Sequence, residues 1–310
     1  MIKHENKVVK LHTLKNLPKF SGSCKWKSVD FQHASTFETL ALEPALKKTI
    51  IDDLDRFVQR KEFYRRVGKA WKRGYLLYGP PGTGKSSLIA AIANYLKFDV
   101  YDLQLGNLRH DSDLRKLLLG TANKSILVIE DVDCTVALPD RLTKSSGDGN
   151  GSQRDAQLTL SGLLNFIDGL WSSCGDERII IFTTNHKEKL DPALLRPGRM
   201  DMHIHMSYCT IQVFKLLASN YLGIRSHWLF GEIEDLILST EVTPAEVAEE
   251  LMKSDDSEVS LGGLLNLLKR KRIERQETKG ESDEIEIQEA KRLKTEETEN
   301  KIYVNGKLLE

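Results

Sequence analysis

Gly79-Pro80-Pro81-Gly82-Thr83-Gly84-Lys85-Ser86 fits the pattern G-x-x-x-x-G-K-[ST], a loop whose backbone amides cradle phosphate oxygens. Its flanks suit that reading. Gly74–Tyr78 predicts a short buried strand before it, and Ser87–Leu96 a helix with an apolar face after it. A glycine-rich turn between them lets N–H groups converge at a helix N-terminus, where the dipole favours negative charge. The expected cradle is Gly79, Pro80, Pro81, Gly82, Thr83, Gly84, Lys85, Ser86 and Ser87. Lys85 is expected to reach the β- and γ-phosphates, and the Ser86 hydroxyl to ligate Mg²⁺.

Outward from the loop, strand and helix alternate, the pattern of a three-layer α/β domain. Phe98–Leu103 predicts a strand, Ser112–Gly120 a helix, and Ser125–Ile129 a continuous apolar run suited to a central parallel strand. Residues 139–155 are polar and glycine-rich and read as a loop, followed by a helix to Gly169. Arg178–Thr184 and Met202–Met206 predict further strands. Upstream, Lys7–Leu14 and Lys25–Phe31 read as two short strands, and 43–67 as one helix with Pro44 in its first turn. Beyond Thr210 only helices are expected, at 210–222, 229–239, 244–253 and 259–275. From about Glu274 onward the chain is charged and aromatic-poor and reads as largely disordered.

Three stretches add chemistry. Ile126–Ile129 ends in Glu130-Asp131, and such a strand end lies beside the phosphate loop in this fold class. One carboxylate can hold the Mg²⁺ shell while the other polarises water. Asn185 ends the strand carrying Thr183-Thr184, where it can position the lytic water or sense the γ-phosphate. Leu190-Asp191-Pro192-Ala193-Leu194-Leu195-Arg196-Pro197-Gly198-Arg199 presents two arginines on a proline-braced turn. Arginine suits the charge of a transferring phosphoryl group and can be supplied by a neighbouring subunit.

These stretches, with Leu163–Gly169, stand in the order and spacing of the AAA family of ATPases, which the chain resembles over about 40–225. The resemblance implies a P-loop AAA+ three-layer domain with a parallel five-stranded sheet, plus a small C-terminal helical lid domain. The expected division is 1–36, a remnant of a family-specific N-terminal domain; 37–209, the nucleotide-binding domain; 210–275, the lid; and 276–310, the tail. More narrowly, Phe37–Ala41, Arg56–Tyr64 and Gly68–Gly79 are similar to plant mitochondrial-like AAA-ATPases of the complex III assembly chaperone branch, which share the pair Glu130-Asp131.

The resemblance implies ATP and Mg²⁺ as ligands. It implies Lys85, Glu130, Asp131, Asn185, Arg196 and Arg199 as catalytic residues, and Ser86, Glu130 and Asp131 around the metal. Most family members have Asp before Glu; here the order is reversed, so Glu130 is expected near Mg²⁺ and the shorter Asp131 near the water, with slow turnover. A homo-oligomeric hexamer or heptamer acting on a protein client is implied, with a nucleotide-gated scaffold as the alternative. Residues 106–111 lack the aromatic with which unfoldases grip a chain, which favours moving a folded client. Relatives carry an N-terminal membrane anchor and a longer N-terminal domain. A truncated chain would leave the strands of 6–35 poorly ordered, and would imply a mitochondrial or endoplasmic reticulum membrane.

Composition limits the alternatives. The 310 residues carry zero formal net charge, with 29% charged and 40% hydrophobic residues, a soluble globular balance. No run of about 18 apolar residues predicts a membrane span, and Met1–Lys7 lacks the apolar core of a secretory signal. The Lys/Arg-rich stretch to residue 73 is interleaved with acids and reads as a solvated face, so no nucleic-acid partner is expected; a clamp-loader role would need a basic inner face. Cys24, Cys134, Cys174 and Cys209 form no C-x-x-C pair and read as reduced thiols. His203 and His205 read as ordinary strand residues, and Lys269–Arg272 as the end of an amphipathic helix.

Overall fold

The computed structural model describes residues 7–14, 26–105, 108, 111–135, 163, 164, 167 and 177–277. The loop 139–155, most of the helix ending at Gly169, the stretch 106–111 apart from Leu108 and Asp111, and the tail beyond 277 lie outside them. The chain divides into two compact units, one of residues 1–208 with 243–245 and the other of 209–242 with 246–310.

The first unit is built on one seven-stranded sheet. Its strands are β1 (Lys10–Leu14), β2 (Trp26–Asp30), β3 (Lys72–Tyr78), β4 (Asp99–Asp102), β5 (Ser125–Ile129), β6 (Arg178–Thr184) and β7 (Met202–His205). The order across the sheet is β2-β1-β4-β5-β6-β3-β7. The run β4-β5-β6-β3-β7 is parallel throughout. Its helices are α1 (Pro44–Gln59), α2 (Lys61–Arg66), α3 (Lys85–Leu96) and α4 (Asp111–Leu119).

Alternation along the central strands makes the three layers. Tyr75, Leu77, Ile126, Val128, Ile179 and Ile181 pack with Ile50 and Leu54 of α1 and Leu88 and Ile92 of α3. Leu76, Leu127, Ile129, Ile180 and Phe182 face the other way, onto Leu114 and Leu117 of α4. Strands buried on both faces are near-continuous hydrophobic runs, which is what β5 and β6 are.

Two expectations change. The sheet has seven strands, not five, because the N-terminal pair joins it. β1 runs parallel to β4, with Leu11 opposite Val100 and His12 opposite Tyr101, while β2 lies antiparallel outside β1. Instead of being left unpartnered, the pair is anchored by side chains. The His12 ring stacks on Tyr101 at 4.1 Å, the Trp26 indole donates to the Leu117 carbonyl at 2.9 Å, and Lys7 pairs with Asp99 at 3.0 Å. A strand pair too small to be stable alone gains an apolar face by this docking.

Residues 43–67 also form two helices rather than one. The Phe57 carbonyl accepts from the Arg60 amide at 3.2 Å and from the Trp71 indole at 3.0 Å, which ends α1. Arg60 is left outside helical geometry, and α2 buries no residue. On the buried face of α1, the Asp53 carboxylate takes two bonds from Arg73, at 2.7 and 3.0 Å, and one from the Tyr75 hydroxyl at 2.6 Å.

The second unit is helical: α5 (Ile211–Leu222), α6 (Phe230–Ser239), α7 (Pro244–Leu251), whose first two residues group with the sheet unit, and α8 over 257–277. Thr210 caps α5 by accepting from the Val213 amide, and Gly223 ends it in the left-handed conformation. Phe214 and Phe230 meet edge to face at 4.9 Å. Lys269 pairs with Glu232 at 2.8 Å and Lys271 with Glu246 at 2.6 Å, so two cations of the basic run brace helices. Among the described residues, no helix is long and apolar enough to cross a membrane. The Cys209 thiol is free and buried, and burial pushes it up to about 12.

Candidate active site

The loop between β3 and α3 has the expected conformation. Gly79, Gly82 and Gly84 all have positive φ. Gly84, at φ 90°, is the N-cap of α3, a backbone state that a side chain would strain. Among the described residues no side chain caps α3, and its first turn holds no acid. Its amides are therefore left for an external acceptor, the requirement for an anion at a helix N-terminus. Inside the loop the buried Thr83 hydroxyl donates to the Pro80 carbonyl at 2.8 Å. Pro81 is exposed, and Ser87 offers its carbonyl to the Ser35 hydroxyl at 2.9 Å. The Gly82 carbonyl accepts from the Ala245 amide at 3.1 Å.

Lys85 is the focus of the site. Its ammonium donates to the carbonyls of Gly79 at 2.7 Å and Pro80 at 2.9 Å, and to the side-chain oxygen of Asn185 at 2.7 Å. Asn185, a hundred residues away, arrives because β3 and β6 run parallel in register, Tyr78 opposite Thr184. Burial pushes the Lys85 ammonium below its ordinary value, and Asp131 and Asp133 push it back up.

The carboxylate pair ends β5 beside the loop. The Ser86 hydroxyl lies 3.4 Å from a Glu130 oxygen. Desolvation raises the Glu130 carboxyl above its ordinary range, Asp102 and Asp131 raise it further, and Ser86 opposes them. Asp131 has a left-handed backbone, φ 48°, uncommon for a residue with a side chain. Its amide is held by the Thr183 hydroxyl at 3.1 Å, while the Thr184 hydroxyl donates to Asp133 at 2.6 Å. Two adjacent threonines of β6 thus fix the turn that separates the carboxylates.

Asp102, Asp133, Thr183 and Thr184 were not singled out for chemistry from the sequence. Asp102 ends β4 one strand over from Glu130; one of its oxygens is buried without a partner, and burial raises its carboxyl. The available signal is positional: Asp102 follows the buried pair Val100-Tyr101 at the end of its strand, as Glu130 follows the buried Ile129.

Ser86, Glu130 and the loop amides suit Mg²⁺ carried on a phosphate chain. Mg²⁺ keeps several waters and takes one or two carboxylates plus phosphate oxygens, and the crowded, desolvated carboxylates would be relieved by a dication. Among the described residues, no cluster of three acidic, histidine or cysteine side chains forms a separate metal cage. His205 instead stacks on Tyr78 at 5.0 Å.

The arginine turn stands apart. Gly74, at the start of β3, neighbours Asp201, while the phosphate loop follows Tyr78 at the other end. Five residues of parallel strand separate the ends by roughly 16 Å. Arg196 is exposed, and its guanidinium is unpartnered among the described residues. Arg199 is half-buried and donates to the Ala193 carbonyl of its own turn. The structure thus gathers Lys85, Ser86, Glu130, Asp131 and Asn185 at one end of the sheet, and places Arg196 and Arg199 at the other.

Comparison with known proteins agrees with this architecture. The family model described as "ATPase family associated with various cellular activities (AAA)" matches residues 75–208. The model described as "At3g28540-like, AAA+ ATPase lid domain" matches residues 209–284. Among curated proteins of Arabidopsis thaliana, "AAA-ATPase At5g17760" is 59% identical across 99% of this chain and 61% of its own length. "AAA-ATPase At3g50940" is 64% identical across 85% of this chain and 58% of its own length. "Protein HYPER-SENSITIVITY-RELATED 4" is 57% identical across 95% of this chain and 52% of its own length. The chain therefore spans between 52% and 61% of the length of these relatives. With one family model ending at Tyr208 and the next beginning at Cys209, where the structure itself divides, the chain belongs to the AAA family of ATPases and carries an At3g28540-like lid domain.

Proposed function

We propose that this chain binds ATP with Mg²⁺ on the loop Gly79–Ser87 and hydrolyses it within a ring of identical subunits, a hexamer or heptamer, to move or remodel a protein client. The observation that carries this reading is the convergence on Lys85 and Ser86 of groups from two neighbouring strand ends: Asn185 at 2.7 Å from Lys85 and Glu130 at 3.4 Å from Ser86. A Mg²⁺ ion held by Ser86 and Glu130 would supply charge neutralisation across the phosphate oxygens. Lys85 exchanges its carbonyl acceptors for charged phosphate oxygens, a stronger class of bond. Asp131, exposed and turned by its left-handed backbone, takes the role of polarising water. Asn185 holds Lys85 and that water in register.

Arg196 and Arg199 complete a neighbour's site rather than their own. The length of β3 between the arginine turn and the phosphate loop supports this, since an arginine side chain does not span it. Arg196 is the outward-facing member, while Arg199 also braces its turn. Activity therefore requires assembly.

The left-handed Asp131 and the reversed carboxylate order favour a second reading, a nucleotide-gated scaffold that binds ATP and assembles with little turnover. Steady-state phosphate release decides between them, with Lys85→Ala as the inactive control. Turnover that rises with protein concentration supports the hydrolysing ring. Full turnover by a dilute monomer overturns the ring, and nucleotide binding with phosphate release no faster than Lys85→Ala leaves the scaffold.

A further inference from the structure

We infer that Asp201 is a positioning residue that clamps the arginine turn to the sheet, and so sets the geometry of the neighbouring subunit's site. This rests on the reading that Arg196 and Arg199 act across a subunit boundary. The observations come from the far end of β3. One oxygen of the Asp201 carboxylate accepts from the Gly74 amide at 2.9 Å, and the other accepts from the Gly198 amide at 2.9 Å. The Asp201 amide returns a bond to the Gly74 carbonyl at 2.8 Å. A single side chain thus ties Pro197-Gly198-Arg199 to the first residues of β3.

Gly74 shows how close that contact is. A Cβ there would sit 1.7 Å from the Arg199 carbonyl oxygen, so the turn rests directly on bare backbone. Within the turn, the amides of Arg199 and Met200 both donate to the Arg196 carbonyl, at 3.1 and 3.3 Å. Met200 is buried in the core beneath. Arg196 and Arg199 therefore leave a platform that the Asp201 carboxylate fastens to β3. A carboxylate fits because both partners are amide donors and it offers an acceptor to each. A positioned cation is worth far more to a transition state than a loosely tethered one.

Because Asp201 acts on the neighbour, its loss separates two properties of one chain. In rings of Asp201→Ala, ATP affinity measured with a fluorescent nucleotide should stay within about twofold of the parent, while phosphate release falls by roughly tenfold or more. Asp201→Asn keeps one acceptor and should fall between the two, which guards against a variant that simply fails to fold. Mixed rings give the readout that a merely structural role would not move. An Asp201→Ala chain has an intact phosphate loop, and an Asp131→Asn chain has an intact arginine turn. Co-assembled, they should release phosphate several-fold faster than either alone, because some sites then combine both intact halves.

The control pairs the double variant Arg196→Ala/Arg199→Ala with Asp131→Asn. Recovery in the control without recovery for Asp201→Ala overturns the role of Asp201 alone, as does an ATP affinity that falls as far as turnover. Failure of the control overturns action across subunits, and the role of Asp201 with it.

Discussion

The Lys85 ammonium and the Asn185 side-chain oxygen lie 2.7 Å apart, joining the residue that opens α3 to the residue that follows β6. Together with two backbone carbonyls, this bond holds the lysine over its own loop. Asn185→Ala removes the side-chain acceptor and leaves both carbonyls. ATP binding should persist within a few-fold, and phosphate release should fall roughly ten- to a hundredfold, the scale for loss of one positioned polar group. Equal losses in binding and turnover would place Asn185 in binding alone.

Thr183 holds the amide of Asp131 in a backbone state that few side-chain-bearing residues adopt. Thr183→Val keeps the shape and removes the hydroxyl. The orphaned amide should cost about 1–2 kcal/mol in chemical denaturation, and turnover should drop with unchanged nucleotide affinity. Unchanged turnover in Thr183→Val would show that Asp131 does not depend on this anchor.

Asp53 is buried and receives Arg73 through two nitrogens and Tyr75 through its hydroxyl. Asp53→Ala strips the Arg73 guanidinium of its paired carboxylate at the α1–β3 interface. A loss of about 3 kcal/mol is expected, against about 1 kcal/mol for Tyr75→Phe, which removes one bond and no charge. Equal effects in denaturant titrations of the two variants would contradict this ranking.

His12 carries a pH dependence. Burial against Tyr101 pushes its imidazole below the ordinary value, with Lys10 and Lys7 adding to the shift and Asp99 opposing it. The unfolded chain then binds the proton more readily than the folded one, so stability rises with pH across this range. The contribution is complete above the ordinary value of about 6.5 and is lost as pH falls through the lowered one. Between about pH 7.5 and pH 5.5, the melting temperature should fall further for the parent than for His12→Phe, which keeps the stack and cannot titrate. Parallel curves would rule this out.

Much of the site was legible in the chain. The alternation of strand and helix, the glycine-rich turn and the acidic end of β5 are local patterns, each dictated by residues close in sequence. The structure returned Ser125–Ile129 and Arg178–Thr184 with the expected bounds. The split at Arg60 was not legible, because the competing donor to the Phe57 carbonyl is the Trp71 indole, fourteen residues on. Nor was the placement of β1 beside β4, which depends on His12 meeting Tyr101 and Trp26 meeting Leu117 across some ninety residues.

Chain order alone set the loop of a glycine turn, a lysine and a hydroxyl at a helix start, which need only one another's neighbourhood along the chain. The remaining contacts needed the assembled sheet. Parallel register of β3 with β6 brought Asn185 to Lys85. The length of β3 set Arg196 and Arg199 at the opposite end of the sheet from that lysine, and the Asp201–Gly74 contact fastened them there. Hydrogen bonds and packing act over a few ångströms in space, while strand order sets which distant residues come that close.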